Sequence, residues 1–229
     1  EMCIRDRIIT PHGEKLCNLI QDEKYLNKFN KDILQLKSWT LSDRQLCDIE
    51  MILNGGFSPL DGFMNRKDYN SVCEKMRLEN NLLWPIPITL DINDELVDTL
   101  EINEEIALRD KEGFVIAILT IDDIWTPDKE KEAQQIYQTT DIFHPGVNTL
   151  LNETHSTYVG GTLKGIHYPK HYDYPQLRHT PQELRESFDN WGWKDIIAFQ
   201  TRNPMHRAHI ELTKRALNEK NAKLLIHPV

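Results

Sequence analysis

The sequence predicts an α+β segment followed by an α/β segment. Short apolar runs separated by turn residues fill the first part of the chain and are typical of antiparallel strands. From Asp195 onwards an apolar run gives way to helical spacing. A second apolar run then follows about 30 residues after the first, as a parallel βαβ unit requires. At 229 residues the chain can hold one large domain or two modest ones, and we interpret it as two.

Composition restricts the class of protein. The chain is 39% hydrophobic and 28% charged, which is ordinary for a globular protein, and no apolar run approaches the roughly 18 residues of a membrane span. The formal net charge of −9 disfavours a general nucleic-acid binder, because such binding depends mostly on clustered Lys and Arg. Four widely spaced cysteines without a CxxC motif favour reduced thiols, and no signal-peptide pattern is present. We expect a cytoplasmic protein with neither a membrane nor a nucleic acid as partner.

The first clear element is a helix over Ser42–Leu53. Ser42 and Gln45 form a capping-box pattern at its start, and Gly55–Gly56 ends it. The polar stretch before it, Asn18–Lys37, is predicted to be helical or mixed. The apolar stripe of the helix is Leu46, Ile49, Ile52 and Leu53.

A small β domain is predicted between residues 82 and 166. Leu82–Ile92 contains two prolines, which suit an edge strand or a bend, and Ile106–Leu108 is predicted to pair with Phe114–Ile121. Asp128–Tyr137 is predicted to be a polar helix. Thr157–Ile166 is predicted to be a further strand, in which two adjacent glycines permit a bulge.

The second segment begins with a helix that Thr180 opens, with a capping box to Glu183, and that runs to about Asn190. Asp195–Gln200 and Lys223–His227 are the predicted strands of the βαβ unit. Asn203 is the predicted N-cap of the intervening helix and Pro204 its first residue. The predicted apolar stripe of that helix is Met205, Ala208, Leu212 and Ala216.

The junction between this strand and helix is a predicted anion site. Ligands bind at such junctions in α/β sheets, and Arg202, His206 and His209 would lie together at the positive end of the helix. No glycine occurs between Asp195 and Val229, so no glycine-rich phosphate loop is present and side chains would have to hold the phosphates. A zinc site is disfavoured, because HExxH helices space their histidines four apart and need a third ligand.

The ten residues from Gln200 to His209, QTRNPMHRAH, resemble the signature of the ATP sulfurylase family. Their HxxH pair belongs to the wider class of nucleotidylyl transferases with an HxGH motif, and Ala208 in place of that glycine favours the sulfurylase branch. RQLCDIEMILNGGFSPLDGFM, LWPIPITLDI, YVGGTLKGI, HYDYPQLRHTPQELR and LLIHPV are similar to the family as well. The resemblance implies a PUA-like β-barrel domain followed by the first βαβ unit of a Rossmann-like nucleotidylyl-transferase domain.

The resemblance also implies a reaction, in which ATP and sulfate give adenosine 5′-phosphosulfate and pyrophosphate. It makes Thr201, Arg202 and Asn203 the catalytic set. Gln200 and Arg202 would bind sulfate, while Asn203, His206 and His209 would bind the phosphates of ATP. We expect Mg²⁺ to enter with ATP, no tightly bound protein metal, and a homo-oligomer, which is common in the family.

We place the domain boundary near Tyr172, which gives a PUA-like domain at residues 1–172 and the start of a catalytic domain, incomplete, at residues 173–229. A chain of this extent is expected to be inactive alone. Two alternatives remain: another HxxH nucleotidylyl transferase with a different nucleophile, or a non-catalytic PUA-like module that binds RNA. An acid-rich surface disfavours RNA. Its members are Asp91, Asp94, Glu95, Asp98, Glu101, Glu104 and Glu105.

Overall fold

A mixed sheet of six strands organises the first part of the molecule in this computed structural model, which describes residues 9–22 and 33–228. The strands are β1 Ser38–Thr40, β2 Gly62–Phe63, β3 Leu90–Ile92, β4 Glu105–Arg109, β5 Val115–Trp125, β6 Thr157–Gly165, β7 Ile196–Thr201 and β8 Lys223–Pro228. The α-helices are α1 Asp43–Leu53, α2 Arg66–Lys75, α3 Asp94–Val97, α4 Lys129–Tyr137, α5 Pro145–Asn148, α6 Pro181–Asn190 and α7 Arg207–Lys220. Half of the predicted helical or mixed stretch at 18–37, residues 23–32, lies outside the described residues.

The strand order is β1-β4-β5-β6-β2, with β3 also paired to β6. β1 runs parallel to β4 and the other pairs are antiparallel. The predicted pairing of β4 with β5 is confirmed, with Ile106 opposite Leu119. The strand predicted over Leu82–Ile92 is wrong for most of its length, since only Leu90–Ile92 is a strand. Pro85 and Pro87 have no backbone N–H to donate to a neighbouring strand.

The predicted irregularity at Gly160–Gly161 is confirmed, and it lies opposite a shift of register between Ile121 and Asp123 of β5. A Cβ atom at Gly161 would lie 2.1 Å from the carbonyl oxygen of Thr120. Only glycine therefore allows β5 and β6 to approach this closely at the bend.

The core beside the six-stranded sheet is built by α1 and the central strands. The capping box is confirmed, because Gln45 N–H donates to Ser42 Oγ at 3.3 Å and Ser42 N–H donates to Gln45 Oε1 at 3.0 Å. Ile49, Ile52 and Leu53 are fully buried in one hydrophobic cluster with residues of β3, β4 and β5. The apolar stripe is confirmed at these three positions, and Leu46 packs half-buried against the cluster.

The predicted acidic surface is wrong at Asp91, whose side chain is buried, with 4% of the residue exposed. Its carboxylate is bonded by the guanidinium of Arg44, by Gln45 Nε2 at 2.9 Å and by the N–H of His155 at 2.9 Å. Asp91 therefore connects α1 and β3 to the segment before β6. A buried carboxylate with a full set of donors is a structural group, which the acidic spacing alone did not indicate.

Glu132 of α4 is a second buried acid, with 7% of the residue exposed. The hydroxyls of Tyr69 and Tyr158 donate to its Oε2 at 2.8 and 3.2 Å. Burial raises the pKa of Glu132, and this effect outweighs the two tyrosine hydrogen bonds, which lower it.

Stability should therefore depend on the protonation of Glu132. The folded state holds the proton more tightly than the unfolded state, so the stabilisation is complete below the ordinary pKa of 4.5 and is lost as pH rises through the folded pKa. Each unit of pKa difference corresponds to about 1.4 kcal/mol.

We expect Glu132→Gln to remove this part of the decline in unfolding free energy above pH 4.5. The unfolding free energy is measured by urea denaturation at a series of pH values. Glu130→Gln, an exposed acid on the same helix, should keep the wild-type slope, and equal slopes in both variants would contradict the assignment.

The second segment begins at α6, whose predicted capping box is confirmed. Glu183 N–H donates to Thr180 Oγ1 at 3.2 Å, and Thr180 N–H donates to Glu183 Oε2 at 2.8 Å. The helix ends before Gly192, whose φ of +65° favours glycine. Within the described part of the chain, no helix has the length and apolar character needed to cross a membrane.

Candidate active site

The site is formed where β7 ends and α7 begins. β7 and β8 pair in parallel from Ile196 opposite Lys223 to Thr201 opposite Pro228, and α7 connects them. This confirms the predicted βαβ unit. Because the strands are parallel, their carboxyl ends lie at one edge of the sheet, beside the amino end of α7.

The predicted helix start is wrong. α7 begins at Arg207 with His206 as its N-cap residue, at φ −77° and ψ 161°, so Asn203 and Pro204 lie in the preceding loop. The reason is a local turn at Thr201. Its hydroxyl donates to the carbonyl of Asn203 at 2.8 Å and accepts from the N–H of Asn203 at 3.1 Å. Short side-chain hydrogen bonds of this kind compete with helix formation, and here they delay it.

The two histidines of the motif lie together. The N–H of His206 donates to Nδ1 of His209 at 3.3 Å, and the ring centroids are 5.5 Å apart. His209 also packs on the ring of Phe199 in β7, at 5.4 Å between centroids. Since Nδ1 accepts a hydrogen bond, a neutral His209 carries its proton on Nε2. That nitrogen is then a hydrogen-bond donor for a ligand at the helix start.

The predicted apolar stripe of α7 is partly wrong. Ala208 is exposed and 59% of Leu212 is exposed, whereas Thr213 is buried. The hydroxyl of Thr213 donates to the carbonyl of His209 at 3.0 Å. The least exposed positions of the helix fall one residue further along than Ala208 and Leu212. These are His209, Thr213, Ala216 and Leu217.

Thr213 and Phe199 are therefore supporting residues that the motif did not reveal. Phe199 alternates with exposed neighbours along β7, which is a period-two signal that identifies the half-buried positions of a strand. Thr213 carried no such signal, because a polar residue within a helical pattern does not predict burial.

Arg202 and Gln200 are exposed beside this edge. Within the described residues, Arg202 forms no ion pair with a carboxylate, and no acidic residue occurs between Gln200 and Ile210. Gln200 is the cross-strand partner of His227, so both lie on the same face of the strand pair. Thr201 is hydrogen-bonded to Asn203, and His206 is hydrogen-bonded to His209. No hydrogen bond links Arg202 to either histidine.

Residues 9–22 and 33–228 contain no group of three or more His, Cys, Asp or Glu side chains that could hold a metal ion. The junction itself offers arginine, amide, hydroxyl and imidazole groups, which suit an anion. Its chemical character is therefore cationic and hydrogen-bond donating.

Family comparisons define the class of protein that this fold and site belong to. Residues 9–168 match a PUA-like domain, and residues 175–229 match ATP-sulfurylase. The class is thus a PUA-like domain followed by a segment of ATP-sulfurylase type.

Individual relatives agree. The chain is 49% identical over 223 residues to the sulfate adenylyltransferase of Kluyveromyces lactis, covering 96% of this chain and 44% of that protein. It is 48% identical over 225 residues to the sulfate adenylyltransferase of Saccharomyces cerevisiae, covering 96% of this chain and 43% of that protein. A solved structure described as a hexameric APS kinase from Thiobacillus denitrificans matches with a TM-score of 0.78 at 35% identity, covering 96% of this chain and 39% of that one.

The chain belongs to the ATP sulfurylase (sulfate adenylyltransferase) family. It spans less than half the length of the curated relatives that it matches.

Proposed function

We propose that this chain supplies sulfate- and phosphate-binding residues of a sulfate adenylyltransferase, which converts ATP and sulfate to adenosine 5′-phosphosulfate and pyrophosphate. One observation carries the proposal. Arg202 has no carboxylate partner among the described residues. It lies at one end of a short loop at the carboxyl edge of β7 and β8, and the hydrogen-bonded pair of His206 and His209 lies at the other end. Two relatives that are 47–49% identical to this chain over 223 residues are named sulfate adenylyltransferase.

Charge is the main obstacle to such a reaction. A sulfate dianion about 4 Å from a singly charged phosphate is opposed by roughly 8 kcal/mol at an effective dielectric constant near 20. One guanidinium at a similar distance from the dianion offsets about the same amount. Positioned cations therefore decide whether the reactants can meet, and Arg202 has no carboxylate partner among the described residues.

The assigned roles follow from the side chains. Arg202 binds sulfate through paired charge-assisted hydrogen bonds, and Gln200 donates to a further sulfate oxygen. Thr201 and Asn203, tied to each other through the Thr201 hydroxyl, hold the loop so that Asn203 faces the α-phosphate. A lone pair of a sulfate oxygen forms the new bond to the α-phosphorus while the bond to pyrophosphate breaks and its electrons leave with pyrophosphate.

His206 and His209 bind the departing phosphates. With Nδ1 of His209 engaged by the backbone, Nε2 donates to a phosphate oxygen and stabilises the charge that moves onto pyrophosphate. Because sulfate is already an anion, no general base is required. Positioning and charge stabilisation account for catalysis. Mg²⁺ arrives as part of the substrate MgATP, and its ligands are mainly phosphate oxygens, since the loop from Gln200 to His209 holds no carboxylate.

The finer features of the molecule belong to the same proposal. The six-stranded sheet is part of a PUA-like barrel, and β7-α7-β8 is the first unit of a Rossmann-like domain, with the boundary near Tyr172. The protein acts in the cytoplasm, in keeping with free thiols at Cys17, Cys47 and Cys73. It forms a homo-oligomer, as the solved relative is described as hexameric. It has no nucleic-acid or membrane partner, in keeping with its net charge of −9.

A chimera tests the activity directly. The chain replaces the matching part of the Saccharomyces cerevisiae relative, with which it is 48% identical. We expect pyrophosphate release from ATP that depends on sulfate, and on selenate as an analogue of the same charge and shape. Release that is stimulated by a phosphorylated nucleophile but not by sulfate would favour another nucleotidylyl transferase. No release in the chimera, with the unmodified relative active in parallel, would contradict the proposal.

A further inference from the structure

A cavity of about 470 Å³ lies in the first domain, and none of its lining residues comes from β7, α7 or β8. We call it the Glu132 cavity. Three charged side chains line it, from Arg44, Asp48 and Glu132. Its apolar wall includes Phe57, Ile86, Ile136 and Leu150. Small-molecule sites have volumes of roughly 300–1,000 Å³ and a mainly apolar lining with a few polar groups, and the Glu132 cavity has this character.

Glu132 has one carboxyl oxygen that the protein does not use. Tyr69 and Tyr158 both donate to Oε2. Oε1 accepts no hydrogen bond from the residues that the structure describes, and 7% of Glu132 is exposed. A donor brought into the cavity by a ligand would give this oxygen a hydrogen bond that the described residues do not supply.

Asp48 also lines this cavity, and only one of its two carboxylate oxygens has a hydrogen-bond partner among the described residues. Its Oδ2 accepts from Arg44 Nη1 at 2.8 Å, and in the described parts of the chain Oδ1 has no hydrogen-bond partner. Burial raises the pKa of Asp48, and the nearby Arg44 only partly offsets this. The guanidinium of Arg44 is shared between two acids, because it also forms an ion pair with the carboxylate of Asp91.

Lys129 is the other cation close to this group. Its ammonium donates to the carbonyl and hydroxyl oxygens of Thr154, at 2.9 and 2.7 Å, and burial lowers its pKa. Three carboxyl groups, those of Asp48, Asp91 and Glu132, therefore share two cations, and burial raises the pKa of Asp48 and of Glu132. A further cation in the cavity would favour the charged forms of these two acids.

We propose that the Glu132 cavity binds a small organic ammonium ion, whose N–H groups donate to Glu132 Oε1 and whose apolar body lies against Phe57, Ile86 and Ile136. An ammonium group supplies both a hydrogen-bond donor for Glu132 Oε1 and a positive charge beside the two acids. The aromatic face of Phe57 adds a favourable surface for a cation or for the methylene groups next to it. A carboxylate of the same shape would meet two acids and a guanidinium that is already engaged.

Calorimetric titration of the 229-residue chain with three probes tests the proposal. The probes are 2-phenylethylammonium, 2-phenylethanol and phenylacetate, which share a ring and differ in the charge of the polar end. We expect the ammonium ion to bind with a Kd below about 1 mM, and the other two to bind at least about tenfold more weakly. Equal binding of the three probes, or no binding of the ammonium ion, would overturn the proposal.

Matched variants locate the site. Glu132→Gln should weaken binding of 2-phenylethylammonium by about tenfold or more, whereas Glu130→Gln, an exposed residue of the same helix, should leave it unchanged. Ile86→Trp provides an independent check, because Ile86 is 43% exposed and a larger ring there fills the cavity from its accessible side. Ile86→Trp should abolish binding. It keeps the location testable if circular dichroism shows that Glu132→Gln is poorly folded. Retained binding in Ile86→Trp would contradict the location. None of these titrations contains ATP or sulfate, so their outcome is independent of the proposed adenylyl transfer.

Discussion

Arg202→Ala in the active chimera is expected to lower kcat/KM for sulfate by about 10²–10³-fold, the range seen when one positioned donor to a developing charge is removed. The physical reason is the repulsion between sulfate and the α-phosphate, which the guanidinium offsets. Without the guanidinium, nothing at this position offsets the repulsion between the sulfate dianion and the α-phosphate. The measurement is the initial rate of sulfate-dependent pyrophosphate release over a range of sulfate concentrations.

Two control variants separate this role from a general effect of positive charge. Arg215→Ala removes an exposed arginine on α7 and should change the rate by less than about twofold, because surface charges away from the site contribute little. Arg202→Lys keeps the charge but loses the planar pair of donors, so it should fall between wild type and alanine. If Arg202→Ala has the same rate as Arg215→Ala, Arg202 does not bind sulfate.

His209→Ala should lower kcat by about 10²-fold through loss of the Nε2 donor to the departing phosphates. The change also removes the acceptor for the His206 N–H and the ring packed on Phe199. His209→Asn provides the matched comparison, since its amide oxygen can replace the acceptor and its amide nitrogen can replace the donor. We expect Asn to recover part of the activity lost in Ala. The assay is the same release of pyrophosphate at saturating sulfate and ATP.

A purely structural role for His209 predicts a different pattern. In that case the urea midpoint of His209→Ala would fall, and the activity of the remaining folded protein would be close to wild type. His179→Ala, an exposed histidine before α6, is the control and should change neither quantity. Loss of stability without loss of kcat would therefore assign His209 to packing rather than to phosphate binding.

The periodic elements were predictable from the sequence because their signals are local. Each capping box, at Ser42 and at Thr180, depends on two residues three positions apart, and both form as expected. The parallel pairing of β7 with β8 followed from an apolar run, a helical spacing and a second run. These features are set by hydrogen bonds between neighbours and by burial of one face, which a single sequence displays.

The features that the sequence did not reveal depend on long-range contacts or on competition between local bonds. Asp91 is buried because groups from α1 and from the segment before β6 reach it, and neither is near it in sequence. The start of α7 at Arg207 reflects the Thr201 hydroxyl, which bonds to Asn203 and keeps Pro204 out of the helix. The candidate site is a prediction from its motif, whereas the hydrogen bond from Thr213 to the carbonyl of His209 is visible only in the structure.

A crystal structure of the chimera with adenosine 5′-phosphosulfate tests the central claim most directly. The account predicts that the sulfate group lies within hydrogen-bond distance of the Arg202 guanidinium, about 2.7–2.9 Å, and that Nε2 of His209 points to the phosphate side of the ligand. A ligand bound elsewhere, or Arg202 and His209 both directed away from it, would contradict the account.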